Sequence, residues 1–396
     1  MINVQIVQPL VPEYRVPFFE ALARSGQCNI QVFASAMLSG SQSLRSASVD
    51  HPFINLNHPC IGYLNHRVLW QKGLRLEERL RRGDVLVVCG NPRFLSNYPL
   101  IWRAKRRGIA TVWWGIGTMP SQQHFTGMIR RFIMQWADSI LLYTDREREE
   151  YLGMGFSPDR VFAINNSIDQ GPIQRAMREW TPERLAAFQV QETLVGRPVF
   201  LFCGRLSKKA QVDLAIEAFA AYLKKDKGAL LVIIGDGEER ERLKDLAQRF
   251  QLVHSIRWLG ELYDQQMMAP WFLTAKCFVY PGYIGLSILH AMGYGLPVVT
   301  HSNMLNQSPE IVALSDGHNG LLFDENNRDD LFRKMQVLSA DESLRRRMSR
   351  SATQTATREF SLDSMVQRFL KAVHAAARMR ALPPNITGGS LLATIP

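Results

Sequence analysis

Residues 280–300 read Tyr280-Pro-Gly-Tyr-Ile-Gly-Leu-Ser-Ile-Leu-His-Ala-Met-Gly-Tyr-Gly-Leu-Pro-Val-Val-Thr300. An apolar run, Cys277–Tyr280, stops at Pro281. A loop with Gly282 and Gly285 follows, then a helical pattern with Leu286, Leu289 and Met292 on one face. Gly293 and Gly295 end that helix, and Pro297 opens a second buried run into Val298, Val299 and Thr300. Strand, glycine-bearing loop, helix and strand make a βαβ unit. The N–H groups at such a loop-to-helix entry point outward, and with the helix dipole they form a ready anion site. An ordinary βαβ turn without a ligand fits the same spacing.

The alternation continues in both directions. Val199–Phe202, Leu230–Ile234 and Ile256–Leu259 read as strands, with helices at Val212–Leu223 and Glu238–Phe250 between them. After Thr300 come a strand at Gly320–Phe323, two amphipathic runs across Asp329–Glu359 and a last helix, Leu362–Arg380. The first half has strands at Val4–Val7, Ile30–Phe33, Asp84–Val88, Ala110–Trp114, Ser139–Tyr143 and Val161–Ile164. Its helical patterns include Arg67–Arg82, Asn91–Arg107, Phe125–Trp136 and Asp145–Leu152. In Phe125–Trp136 the residues Phe125, Met128, Ile129, Phe132 and Trp136 form one stripe, which reads as core-facing. Such alternation is the signature of parallel, doubly wound sheets. The predicted architecture is two Rossmann-like α/β lobes facing a cleft: residues 1–168, a polar connector at 169–196, and residues 197–361. Residues 381–396, with Pro383, Pro384, Gly388 and Gly389, read as a disordered tail.

Composition bounds the partners. The 396 residues are 46% hydrophobic and 21% charged, enough for sizeable cores. No run approaches the roughly 20 apolar residues of a spanning helix, and Pro9, Pro12, Glu13 and Arg15 break any secretory signal at the start. The chain is therefore expected in the cytosol. Its five cysteines, Cys28, Cys60, Cys89, Cys203 and Cys277, are scattered and read as small residues of a reducing compartment. Net charge is +11, and residues 1–190 carry +7 of it, from 22 Lys and Arg against 15 Asp and Glu. A basic surface suits nucleic acid, an anionic membrane or a phosphorylated substrate. Nothing resembles an aromatic RNA-binding strand, a zinc finger or a basic zipper, so nucleic acid ranks last.

Gly204-Arg-Leu-Ser-Lys-Lys-Ala210 follows the first strand of the second half. Arg205, Lys208 and Lys209 thus emerge at the carboxyl end of a parallel strand, where open α/β sheets bind ligands. Fixed cations there suit a diphosphate leaving group, although a solvated basic loop reads the same way. No Gly-Lys-Ser/Thr closes the loop, so it is not a nucleotidase phosphate loop. Ile233-Ile-Gly-Asp-Gly-Glu238 is a strand followed by a tight turn.

Together these motifs resemble glycosyltransferase family 4, retaining enzymes of the GT-B fold. The resemblance is carried by Gly204-Arg-Leu, Ile234-Gly-Asp-Gly, Pro281–Val299, Pro309-Glu310 and Asp316-Gly-His-Asn-Gly-Leu-Leu-Phe323. Tyr14-Arg-Val-Pro-Phe-Phe19 and Asn165-Asn-Ser-Ile-Asp169 agree more weakly. It implies that the second lobe holds a UDP- or GDP-sugar and that Arg205 and Lys209 stabilise its diphosphate. Gly204, Lys208, Gly235, Tyr283, Gly285, Leu286, Ser287, His290 and Glu310 would line that site. Tyr14, Arg15, Gly117 and His124 would serve the acceptor, and Leu362–Arg380 would cross back to the first lobe. The family's two glutamates, eight positions apart, fall on Gly282 and His290, and Ala210 stands where the lysine is usual. A neutral His290 still accepts a ribose hydroxyl through one ring nitrogen; a core histidine under the loop is the other reading.

The implied function is transfer, with retention, of a sugar from a nucleotide-diphosphate sugar to a cell-envelope glycan or lipid-linked oligosaccharide. No Asp-x-Asp motif lies at a strand end, so neither metal nor cofactor is expected. The basic first lobe implies peripheral contact with the anionic inner face of the cytoplasmic membrane. A catalytically silent GT-B protein that binds a sugar nucleotide or a partner transferase is the alternative, favoured by the missing glutamates. A nucleotide-sugar epimerase is a third.

Overall fold

The computed structural model describes residues 1–38, 45–48, 50–117 and 125–381, without the side chains of 125–129. The expected tail beyond Ala381 lies outside this range. The chain forms two compact units, Met1–Asn165 with Met365 onward, and Asn166–Ser364.

The first unit is built on β1 (Ile2–Val7), β2 (Cys28–Phe33), β3 (Ile54–Asn55), β6 (Val85–Cys89), β7 (Ala110–Trp114), β8 (Ser139–Leu142) and β9 (Val161–Ala163). They form one sheet in the order β3-β2-β1-β6-β7-β8-β9, with every pairing parallel. These strands are near-continuous apolar runs because helices cover both faces. On one face Trp114 meets Phe18 and Phe19 of α1 (Val16–Arg24) and Phe369 of α13 (Leu362–Ala381), at ring separations of 5.6–6.4 Å. Arg368 and Arg380 fix α13 through ion pairs to Asp145 (2.7 Å) and Asp138 (2.9 Å). On the other face lie α2 (Asn97–Arg106), α3 (Phe125–Met134) and α4 (Asp145–Gly153).

Two expectations for this unit fail. Arg67–Arg82 is not a helix: β4 (Cys60–Tyr63) and β5 (Val68–Gln71) form an antiparallel hairpin, and 72–84 run on without regular structure. Gly73, at φ +71°, breaks the helical register, while Leu76 and Leu80 still reach the core from irregular backbone. The stripe on α3 is not wholly core-facing either. Met134 is buried, but Phe132 and Trp136 are 62% and 46% exposed.

The second unit has six parallel strands: β10 (Val199–Cys203), β11 (Leu230–Ile234), β12 (Ile256–Gly260), β13 (Cys277–Val279), β14 (Val298–His301) and β15 (Gly320–Phe323). Their order is β12-β11-β10-β13-β14-β15, flanked by α7 (Val212–Leu223), α8 (Arg240–Arg249), α11 (Arg328–Ala340) and α12 (Glu342–Gln354). The polar connector is expected to carry helical pieces of its own. It holds α5 (Gly171–Glu179) and α6 (Pro182–Gln191), both packed on α9 (Gln265–Thr274). The α9 helix contains Pro270, which has no N–H to give the carbonyl of Gln266. Trp180 supplies the missing donor, its indole N–H reaching Gln266 O at 2.9 Å. Phe188 of α6 then packs edge-on to Trp271 at 4.9 Å.

Trp180→Phe keeps the ring and deletes that donor. It is expected to destabilise the second unit by about 1 kcal/mol, read by urea denaturation, because Gln266 O loses the indole donor that stands in for the N–H Pro270 lacks.

Candidate functional site

Three loops at carboxyl ends of the second sheet carry most of the expected residues: 204–210 after β10, 235–239 after β11, and 281–286 after β13. The first two interlock through main-chain bonds. Gly204 N–H donates to Ile234 O (3.0 Å), Leu206 N–H to Asp236 O (2.9 Å) and Glu239 N–H to Leu206 O (3.1 Å). The approach is so close that a Cβ on Gly235, at φ +131°, would stand 2.0 Å from Gly204 O. Loop packing alone therefore accounts for glycine at 235.

The third loop is clasped to the first. Gly282 N–H donates to Ala210 O (3.1 Å) and Tyr283 N–H to Lys209 O (2.8 Å). A Cβ on Gly282 would lie 2.0 Å from Lys209 O, so no side chain fits where the resemblance places its first glutamate. Beyond the clasp, buried Gln307 holds the loop from its other end. Its Oε1 accepts from Ile284 N–H (3.0 Å), and its Nε2 donates to Thr300 Oγ1 (2.8 Å) and His301 O (3.2 Å). Between these two anchors the N–H groups of Gly285, Leu286 and Ser287 find no acceptor among the described residues. A Cβ on Gly285 would meet open space. The three donors stand at the entry to α10 (Ser287–Gly293).

Lys209 is poised beside this loop. Lys209 Nζ lies 5.7 Å from the centre of the Tyr283 ring, a cation–π contact. Burial, and then the Glu310 carboxylate, hold the Tyr283 phenol above its usual range. Glu310 is itself fixed, accepting from Asn166 Nδ2 (2.8 Å) and lying 2.7 Å from Ser308 Oγ. Arg205 pairs with Glu238 at 3.2 Å, with both side chains more than half exposed. Solvent screens such a surface pair, so it offers little resistance to an incoming dianion. Lys208 lines a depression with Gln211, Asp213, Glu217, Glu239 and Arg242.

His290 sits on α10 facing α9. Its Nε2 lies 2.9 Å from Gln265 Oε1, and Tyr294 Oη donates to the same oxygen at 2.8 Å. With that oxygen as acceptor, Nε2 carries the proton and Nδ1 is left to accept. The ring packs edge-on to Phe272 at 4.8 Å. Burial pushes its imidazolium down to about 4, so the ring is neutral at physiological pH. Gln265, Gln307 and Ser308 were not singled out from the sequence. Gln307-Ser308 lies directly before Pro309-Glu310, and a polar pair leading into that motif was the available signal.

In the first unit the turn Glu13–Arg15 brings Tyr14 and Arg15 together. Tyr14 is exposed, whereas Arg15 is buried with its guanidinium 5.3 Å from the Tyr14 ring and 5.2 Å from the Trp114 ring. Gly117 offers no open main chain. Its N–H donates to Glu147 Oε1 (2.8 Å) and its carbonyl accepts from Arg130 Nη1 (2.6 Å). Burial raises the Glu147 carboxyl above its usual range, against hydrogen bonds from Gly117 and Thr144. His124 lies outside the described residues. Among those residues, no group of three or more His, Cys, Asp or Glu is arranged to hold a metal.

The two parallel units have close structural counterparts. A crystal structure of Anabaena HepE in complex with UDP superimposes with a TM-score of 0.66 at 14% identity, covering 94% of this chain and 99% of that one. The chain has the GT-B fold. Residues 184–355 match the family model of glycosyl transferases, group 1. An exopolysaccharide phosphotransferase of Streptomyces coelicolor is 30% identical over 239 residues, 59% of this chain and 23% of that protein. The lipopolysaccharide core biosynthesis glycosyltransferase LpsE of Rhizobium meliloti is 28% identical over 183 residues, 46% of this chain and 51% of that protein. The matches thus span a quarter to a half of these two relatives.

The depressed His290 generates a pH dependence. An ordinary histidine near 6.5 takes up a proton when the chain unfolds, while the folded ring resists until about pH 4. Stability is therefore full above pH 6.5 and falls by up to about 3 kcal/mol as pH drops toward 4. Thermal melts of His290→Gln should lose this part of the acid slope, leaving a shallower decline than wild type.

Proposed function

We propose that the chain is a nucleotide-sugar-dependent glycosyltransferase of the family 4 type. The acceptor is a cell-envelope glycan or lipid-linked oligosaccharide. The carrying observation is the clasp between residues 209–210 and 282–283, which joins the loop bearing Arg205 and Lys209 to three open N–H groups at one helix entry. A diphosphate is the dianion whose size and charge suit that pair of surfaces. Glycosyltransferases among the relatives support the reading, and give the silent alternative no support.

The chemistry follows from where charge develops. As the bond between the sugar's anomeric carbon and the diphosphate oxygen breaks, negative charge grows on the leaving oxygen. Arg205, once released from Glu238, would stabilise it together with Lys209 and the N–H groups of Gly285, Leu286 and Ser287. For retention, the acceptor hydroxyl attacks from the face the diphosphate leaves, and the hydroxyl proton passes to the leaving oxygen. No side chain at 282 is needed for that step. The fixed cations and N–H groups supply the charge compensation otherwise met by a metal. His290 Nδ1, as an acceptor, would take a ribose hydroxyl, and Tyr14 with Arg15 would serve the acceptor side. A peripheral place on the inner membrane face accords with the basic first half; among the described residues no helix is long and apolar enough to cross a membrane.

The test is a calorimetric screen of UDP- and GDP-sugars, followed by an assay for released nucleoside diphosphate. Each charge-assisted contact contributes about 1.5–3 kcal/mol. Arg205→Ala and Lys209→Ala should therefore each weaken nucleotide binding roughly ten- to a hundred-fold. Unchanged affinity in both variants rejects the diphosphate assignment.

A further inference from the structure

We infer that the β4–β5 hairpin is the element by which this protein docks on an anionic lipid surface, a conclusion that rests on the peripheral-membrane part of the reading above. The hairpin has two unlike faces. Cys60, Leu69 and Gln71 point inward, and Cys60 and Leu69 pack with Phe94. The opposite face presents Ile61 paired with Trp70 and Tyr63 paired with Val68. Tyr63 is 51% exposed, Trp70 39%, and Leu64 at the turn 75%.

The turn itself points to a partner. Leu64, Asn65 and His66 all hold left-handed backbone, at φ 50°, 52° and 60°. That conformation favours glycine or asparagine and disfavours leucine. An exposed leucine there gains nothing from folding, so both its conformation and its exposure are unfavourable until something apolar covers it. Charge selects the cover. Residues 60–73 contain Arg67 and Lys72 and no carboxylate, and Arg93 adds a third cation, its Nε 3.4 Å from Arg67 O. An aliphatic apex, flanking Tyr and Trp, and a cationic collar match the order of layers met on entering a bilayer: acyl chains, interface, anionic headgroups. A glycan would use flat aromatic faces without the leucine apex, and an acidic protein would not require the apolar tip.

The experiment is flotation with vesicles of phosphatidylcholine alone or mixed with phosphatidylglycerol, at low salt. Wild type should float with the mixed vesicles and not with the neutral ones. The double variant Leu64→Asn/Trp70→Gln alters exposed side chains only and should lose roughly tenfold or more in partition. Its nucleotide affinity should be unchanged, which shows that the chain still folds. Trp102→Gln/Phe132→Gln, on the exposed faces of α2 and α3, should partition like wild type. The assignment is overturned if the hairpin variant floats normally, or if only the α2–α3 variant fails. It is also overturned if the hairpin variant instead weakens use of a soluble acceptor sugar with partition intact. Failure of wild type to float removes the membrane reading altogether, while failure to bind nucleotide leaves the flotation result standing and removes the transferase reading.

Discussion

Two main-chain hydrogen bonds, Gly282 N–H to Ala210 O and Tyr283 N–H to Lys209 O, determine the arrangement of the second unit's site. They join a loop that brings cations to a loop that brings open N–H groups. Because both partners are backbone, the geometry does not depend on a flexible side chain holding its rotamer. The cost is that position 282 must be glycine, since a Cβ would collide with Lys209 O. What looks in the sequence like a lost acidic residue is, in the fold, a position with no volume to give.

The surrounding polar groups serve this clasp. Gln307 spends its amide on the loop and on the end of β14, so the chain can turn at Ile284 without leaving a buried N–H unpaired. Gln265 does the same between helices, where its one oxygen receives both His290 and Tyr294. A neutral histidine and a tyrosine sharing one acceptor make a rigid junction. That junction keeps α10, and with it the three free N–H groups, in a fixed direction.

The strands of both sheets except β3 were legible because parallel, doubly covered strands are written as unbroken apolar runs; β3, two half-buried residues, carries no such run. Val212–Leu223 was readable to the residue for the converse reason, a helix with one clear apolar face. Arg67–Arg82 was misread because leucines at 74, 76 and 80 mimic a helical period while Gly73 breaks it. Helix α9 was missed because Pro270 argues against it, and nothing local reveals that Trp180, ninety residues earlier in the chain, supplies the absent donor. In the site, Arg205, Lys209, Glu310 and the glycine loop were visible as motifs. Gln265 and Gln307 were not, since a glutamine's value lies in two or three partners that sequence spacing does not display. Lys208 and Lys209 share the 3₁₀ turn Lys208–Ala210, where Lys208 lines a depression with Asp213 and Arg242 and Lys209 lies against the Tyr283 ring.

The central claim is that the clasp turns the Gly285–Ser287 entry into one half of a diphosphate site whose other half is Arg205 and Lys209. Amide hydrogen exchange reads this residue by residue. With a nucleoside diphosphate bound, the amides of Gly285, Leu286 and Ser287 should slow together, because each gains an acceptor it lacks in the free protein. Demonstrated nucleotide binding with exchange at these three amides unchanged would contradict the account.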